Sequence, residues 1–418
     1  MGPSQWWSGL RWGHTNPSNP DAGTALILSG GGARAAYQVG VLMAVANLLP
    51  RGAPNPFPVI CGTSAGALNA TALAVNAHHF RFAVRALERV WRNLTPSQVY
   101  RTDFRAFITS ILRWALPAYL TASTPVRSAL LDNRPLCKLL SVVFDFDRIQ
   151  QSLDAGHLRA LSITASSYGT GESVAFFQAL EEVQEWQRAR RRGQRSRIGL
   201  EHLLASSAIP ILFPAQKVGG RYFGDGAVRQ LAPISPALHL GAQRVLVVGV
   251  AEARPGGPDD RGAQYPSMAQ VLGHVMNSVF VDTLEVDLER LQRINSTLEV
   301  MTPAQRSRAG IGLRPVEVLH IAPSASIDGL AAEYAHRLPR TLRALLRGPG
   351  GGGAGASALS YLLFDPEFCK ALMDLGYKDA MARSDELREF LAPALEEVSR
   401  RVAACAPQNG PQSHWQNR

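Results

Sequence analysis

Residues 24–29 read TALILS, a short apolar run without polar alternation, and such a run predicts a strand covered on both faces. It breaks into Gly30, Gly31 and Gly32. Residues 33–49 then place Ala36, Val39, Gly40, Leu42 and Val45 at helical spacing until Pro50 ends the pattern. The succession repeats, with FPVIC at 57–61 predicting a second strand, GTSAG a turn, and an alanine-rich stretch from 65 to about 77 a second helix. Further strands are expected at 159–166 (RALSITAS), 173–177, 244–250 (RVLVVGV) and 316–321 (VEVLHI), with helical stretches between most of them. This alternation predicts an α/β fold, a mostly parallel central sheet with helices on both faces, in three α/β/α layers.

Three segments depart from the pattern. Residues 106–120 (AFITSILRWALPAYL) carry a single charge, Arg113, and are expected to form core or a cap over a cleft, with an interfacial anchor as the alternative. Residues 188–197 (RARRRGQRSR) read as a solvated basic loop, whose functional reading is contact with an anionic membrane or nucleic acid. Residues 348–355 (GPGGGGAG) read as a flexible linker. The resulting plan is a flexible N-terminal segment (1–23), a catalytic domain (24–347), a Gly-rich linker (348–357), a helical C-terminal extension (358–404) and a flexible tail (405–418).

Composition narrows the class. Apolar residues make up 46% and charged residues 18%, a globular balance that excludes a disordered linker. No apolar stretch reaches the roughly 18 residues of a spanning helix, and the N-terminus lacks the pattern of a secretory signal. A cytoplasmic protein is expected, peripheral to a membrane at most. Lys and Arg number 43 against 33 Asp and Glu, a formal +10 that favours an anionic partner without choosing one. Only four of the 43 are lysines (Lys138, Lys217, Lys370, Lys378), a skew that base composition of the genome explains as readily as ligand binding. Four cysteines without CxxC or Cys/His ligand spacing argue against a disulfide framework or zinc site, so no metal is expected.

The chemistry sits in three short blocks. Gly30 to Ala35 loosely fits a G-x-G-x-x-A dinucleotide fingerprint. That reading needs an acidic residue at the end of the second strand, and none occurs between Asp21 and Glu88. No Gly-Lys-Ser/Thr follows the glycines, which excludes a phosphate-cradling loop and leaves no cofactor implied. Gly62-Thr63-Ser64-Ala65-Gly66 is a G-x-S-x-G sequence in the strand-to-helix context its mechanism requires. Small flanking residues permit a strained turn that lifts the Ser64 hydroxyl from the sheet toward a helix N-terminus. Gly31, Gly32 and Ala33, entering a helix, offer backbone N–H groups for an oxyanion.

Ser64 needs a base. His239, His274, His320 and His336 are possible by chain order, but none lies in a motif. Asp225, in Gly224-Asp225-Gly226-Ala227, is the better candidate: a lone carboxylate between glycines in an apolar segment can approach another backbone closely, and desolvation would raise its basicity.

SGGGARAAYQVGVL, GTSAG and FGDGA, in that order, resemble the patatin-like phospholipase family. LDNRPLCKLL (131–140) and ASSAIPILFP (205–214) are similar to family stretches, so the resemblance covers roughly residues 24–250, and SYLLFDPEFCKALMDLGYKDA (360–380) resembles the C-terminal extension of some bacterial members. The resemblance implies a Ser/Asp dyad without histidine, with Ser64 as nucleophile and Asp225 as general base. It further implies that the loop Gly30, Gly31, Gly32, Ala33 and Arg34 is the oxyanion hole, and that fatty acyl esters are hydrolysed without calcium. Ala35 stands where the family commonly has glycine. The expected substrate is a (lyso)phospholipid or related lipid, with transient membrane contact and no nucleic acid. The alternatives are a lipid acyltransferase and a non-catalytic lipid-binding protein at a membrane surface.

Overall fold

A computed structural model describes residues 23–101, 129–252, 268–339, 342–343 and 356–405. The expected cap at 106–120 lies outside these residues, as do the N-terminal segment to residue 22, residues 344–355 with most of the Gly-rich linker (348–357), and the tail from 406.

The strands are β1 (Gly23–Leu28), β2 (Val59–Thr63), β3 (Ala160–Ser167), β4 (Ser173–Ala179), β5 (Trp186–Arg188), β6 (Arg191–Arg195), β7 (Gln216–Val218), β8 (Arg221–Asp225), β9 (Ala242–Val248) and β10 (Glu317–Ile321). They form one mixed sheet in the order β10-β9-β1-β2-β3-β4-β6-β5, with β8 paired to β3 and β7. The five strands from β10 to β3 are mutually parallel, as the β/α alternation predicts, whereas β4 and β8 run antiparallel to β3.

The apolar run of β1 is explained by burial on both faces. Leu26 and Leu28 enter the larger core, while Ala25 and Ile27 enter a second core on the other face. Helices α1 (Ala36–Leu48), α2 (Ala65–Val75) and α3 (Phe80–Arg92) cover the first face, and the helix Thr283–Glu299 contributes Leu284, Leu288 and Leu291 to the second. Helix α3 is amphipathic and buries Phe80, Ala83, Val84, Leu87 and Trp91. By contrast, α1 buries ten residues around its whole circumference because it is sandwiched.

What sandwiches α1 is the C-terminal extension. Its helices Ala356–Leu362, Pro366–Ala382 and Ser384–Cys405 follow the expected helical stretch, but they are built into the main core, with Phe368, Cys369, Leu372 and Met373 in the same cluster as β1 and α1. The two backbones touch where glycines permit it. A Cβ on Gly40 would stand 2.0 Å from Met373 O, and one on Gly376 would stand 2.2 Å from Tyr37 O.

The basic run departs from the expected solvated loop. It forms the β5/β6 hairpin at the sheet edge, turning at Arg190 with φ 55°. Arg195 explains the ordering: its guanidinium donates to the carbonyls of Ala179, Leu180, Glu181 and Val183, closing the end of β4. Among the described residues no helix is long and apolar enough to cross a membrane.

Gly40→Ala is expected to lower stability by about 1–3 kcal/mol, because overpacking at a backbone contact outweighs the gain in helix propensity. Gly169→Ala is the control, since a Cβ there meets nothing within 4 Å, and it should shift stability by less than about 0.5 kcal/mol. Thermal unfolding of the two variants beside the wild type checks the difference.

Candidate active site

Sheet register brings Ser64 and Asp225 together. On β3, Thr164 pairs with Thr63 of β2, and the next residue, Ala165, pairs with Asp225 of β8. β4 occupies the opposite edge of β3, so β2 and β8 share one edge and run at each other end to end. Their C-terminal ends meet, and residues 161 positions apart in the chain become neighbours.

Ser64 is the turn between β2 and α2, with φ 54° and ψ −126°, a conformation L-residues rarely adopt. Its surroundings hold it there. The Ser64 amide donates to Ser206 Oγ at 2.8 Å, and the Ser206 hydroxyl donates to Thr164 O at 2.6 Å. The flanking glycines have no room for a side chain: a Cβ on Gly62 would stand 2.6 Å from Ala67 Cα, and one on Gly66 2.2 Å from Leu28 O. The G-x-S-x-G pattern is therefore dictated by backbone approach on both sides of the serine.

Asp225 is fully buried, and three of its four polar groups are fixed. Its amide donates to Ala208 O at 2.8 Å, its carbonyl accepts from Ser166 Oγ at 2.8 Å, and Oδ1 accepts from Ala227 N at 2.9 Å. Oδ2 has no hydrogen-bond partner. The Ser64 side chain acts on this carboxylate and lowers its pKa. Burial is the larger effect and pushes Asp225 up to about 7. The turn after Asp225 is tied to the serine's strand, because Thr63 Oγ1 donates to Gln230 Oε1 at 2.8 Å and Gln230 Nε2 reaches Thr164 Oγ1 at 3.3 Å. A Cβ on Gly226 would stand 2.1 Å from Thr164 O, which fixes glycine after the aspartate.

The glycine loop packs against Ser64, with Gly30 facing the Ser64 Cβ. The expected helix at 33–49 starts later, since Gly32–Ala35 form one 3-10 turn before α1. Within that turn the Arg34 amide is committed to Gly31 O at 3.1 Å. The Arg34 guanidinium is buried in contacts with the C-terminal half of the chain. Gly31, Gly32 and Ala33 stand at the start of the turn, where amides lack an intrahelical acceptor. Ala65, the first residue of α2 after the serine, is in the same position, a donor that its place in the G-x-S-x-G motif does not announce. A buried polar chain holds the loop's flanks: Gln38 Nε2 donates to Ser29 O, Asn69 Nδ2 to Ala35 O and to Gln38 Oε1, and Trp91 Nε1 to Asn69 Oδ1.

The histidines lie elsewhere. His239 stacks on Trp186 with ring centroids 4.9 Å apart, and burial lowers its pKa to about 4. His320 is likewise lowered to about 4 by burial and by Arg383. None of the four histidines possible by chain order acts on Asp225 or lines the cavity that Ser64 opens onto. Among the described residues no three His, Cys, Asp or Glu side chains converge as a metal-ligand group.

That cavity is apolar. It runs from Gly32, Ser64 and Ala65 between α2 and α3 to Leu139, Leu140, Val143 and Phe144 near the end of the helix Arg134–Val143. Tyr361, Leu362 and Phe364 of the extension form part of its wall, a contribution no local sequence signal announces.

A family model, patatin-like phospholipase, matches residues 26–238, about half of the chain. The chain belongs to the patatin-like phospholipase family. The matched span holds the glycine loop, Ser64 and Asp225, and it ends before β9, β10 and the C-terminal helices. No curated protein matches. Among solved structures, human GIVD cytosolic phospholipase A2 in complex with methyl gamma-linolenyl fluorophosphonate is similar at 12% identity and a TM-score of 0.39, over 91% of this chain and 60% of that one.

The raised pKa of Asp225 has a sign in stability. Because the folded protein holds this proton more tightly than the unfolded chain, stability is greatest below about pH 4 as far as this group is concerned, and it falls as pH rises to about 7. Asp225→Asn should remove that slope and leave the variant more stable than the wild type at pH 8. Denaturant unfolding of both proteins from pH 4 to pH 8 measures it.

Proposed function

We propose that the chain is a serine lipid acyl hydrolase in which Ser64 attacks an acyl ester carbonyl and Asp225 takes the serine proton. One observation carries the reading: a strained serine lining an apolar cavity stands beside a buried carboxylate that has one oxygen fixed and the other unpartnered. A carboxylate with a pKa of about 7 suits a general base at neutral pH, where a solvated one would be too weak.

In this mechanism the fatty acyl chain occupies the cavity between α2, α3 and residues 361–364. Ser64 Oγ bonds to the ester carbon while its proton passes to Asp225 Oδ2. The carbonyl oxygen becomes an oxyanion facing the amides of Gly31, Gly32, Ala33 and Ala65. Collapse breaks the ester C–O bond, and Asp225 returns the proton to the departing alcohol. Asp225 then deprotonates a water, which attacks the acyl-serine carbon; the bond to Ser64 Oγ breaks, Asp225 returns the proton to Oγ, and the fatty acid is freed. The oxyanion contacts form only as charge develops, so each contributes to the rate rather than to ground-state binding. The alcohol expected to leave is a lysophospholipid or glycerol derivative. Transfer of the acyl group to a second alcohol would follow the same first step.

Ser64→Ala and Asp225→Asn are each expected to stay folded, to bind lipid vesicles as the wild type does, and to lose at least about 10³-fold in fatty acid release. A panel of phospholipids, lysophospholipids and acylglycerols, followed by mass spectrometry, reads the loss and names the substrate. Retained release in the Ser64→Ala protein would overturn the reading, and an inactive wild type that still binds vesicles would favour a lipid-binding role.

The wild-type kcat/KM should rise with pH through a single step near 7 and then level off, because Asp225 must be ionised to accept the proton. A profile flat from pH 5 to pH 9 would exclude Asp225 as the base.

A further inference from the structure

We infer that Arg34 is a positioning residue through which the C-terminal helices hold the glycine loop in its working shape. The inference rests on the reading of that loop as the oxyanion hole. Arg34 is the single charged residue between Asp21 and Arg51, and it is 3% exposed. A charge placed there needs partners, and every one of its side-chain partners comes from more than 240 positions away.

Its Nε donates to Ser360 Oγ at 2.8 Å, and its Nη2 pairs with Asp328 Oδ1 at 2.5 Å and reaches Asn277 Oδ1 at 3.3 Å. The guanidinium carbon lies over the Tyr361 ring, 4.0 Å from the ring centre. The partners are themselves joined: Ser357 and Ser360 both donate to Asp328, and the Tyr361 hydroxyl donates to Asn277 Oδ1. Three helices, Met268–Asn277, Ile327–Glu333 and Ala356–Leu362, thus converge on one side chain of the loop.

The backbone of the loop is boxed by the same region. A Cβ on Gly30 would stand 2.8 Å from the Phe280 ring, one on Gly31 2.7 Å from Val250, and one on Gly32 2.2 Å from Tyr361 O. Gly32 also has φ 54°, so the loop depends on outside contacts to keep its shape. All of these bracing residues lie beyond the span that matches the family model. The glycine loop comes with the family, and in this chain its aim is set by the following 180 or so residues.

Oxyanion donors act on the transition state, and a displacement of about 1 Å can cost about 10²-fold in rate. Arg34→Gln should therefore lower kcat on a short-chain aryl ester by about 10²-fold and leave KM within a factor of two, since a short acyl chain draws little binding from the cavity wall. Arg34→Lys keeps the charge but loses the planar fork, and it should fall between the two. Asp328→Asn should lower kcat as well, and the double variant should lose no more than Arg34→Gln alone, because Asp328 acts through Arg34.

Each variant is assayed below its unfolding temperature, with Ser64→Ala in parallel. An Arg34→Gln protein that is folded, has lowered thermal stability and keeps wild-type kcat would overturn the inference and leave a purely structural role. If Arg34→Gln does not fold, Ser360→Ala, which removes the Nε contact and the Ser360 bonds to Asp328 and Ser357 O while leaving the Arg34–Asp328 pair, decides: unchanged kcat overturns the inference and a selective fall in kcat supports it. Hydrolysis surviving in Ser64→Ala would instead remove the catalytic reading itself, so the two failures are distinguishable.

Discussion

Two strands that end against each other on one edge of β3 are the constraint from which the site follows. Residue 164 receives β2 and residue 165 receives β8, so whatever follows β2 must face whatever ends β8. Serine and aspartate occupy those two positions. Slipping either strand by one residue would turn the side chain to the other face of the sheet, so the encounter is fixed by main-chain hydrogen bonding and not by the two side chains themselves. Ser206 reinforces it, since one hydroxyl is bonded to both Ser64 N and Thr164 O.

The site is held under load. Ser64 has a backbone conformation costing on the order of 1–3 kcal/mol, and Asp225 is a carboxylate without solvent. Both costs are offset by the sheet on which they sit, where glycines at 62, 66 and 226 allow main chain to approach main chain. The same surroundings give the carboxylate its basicity. Burial raises the energy of its charged form, while the single bond from Ala227 N leaves one oxygen unsatisfied. A strained serine and a desolvated carboxylate are local costs that a large two-faced core can support.

The C-terminal helices belong to this economy in two ways. They close one side of the apolar cavity with Tyr361, Leu362 and Phe364, and they supply Ser360 and Tyr361 among the partners of the only charge in the glycine loop. Their contact with α1 is close because Gly40 and Gly376 let two helices meet backbone to backbone. An extension tethered by a glycine-rich stretch is in this chain part of the core, packed on the element that carries the loop.

The local elements were legible in the chain. Apolar runs at 24–29, 57–61 and 244–250 announced buried strands, because a strand covered on both faces has no polar alternation to hide. The G-x-S-x-G block was legible too, since a turn so tight tolerates few residue types. Asp225 was marked by its glycines, though nothing local said that it lies beside Ser64. Other features depended on contacts between distant residues. The basic run was misread as a solvated loop because its order comes from carbonyls that Arg195 reaches across the sheet edge. Nothing local in the chain marked the partners of the Arg34 side chain, because folding brings them from more than 240 positions away. Sequence determined which residue types could make each turn and strand, because those limits are steric and local. The tertiary structure decided which of them meet, because register and burial are properties of the whole sheet.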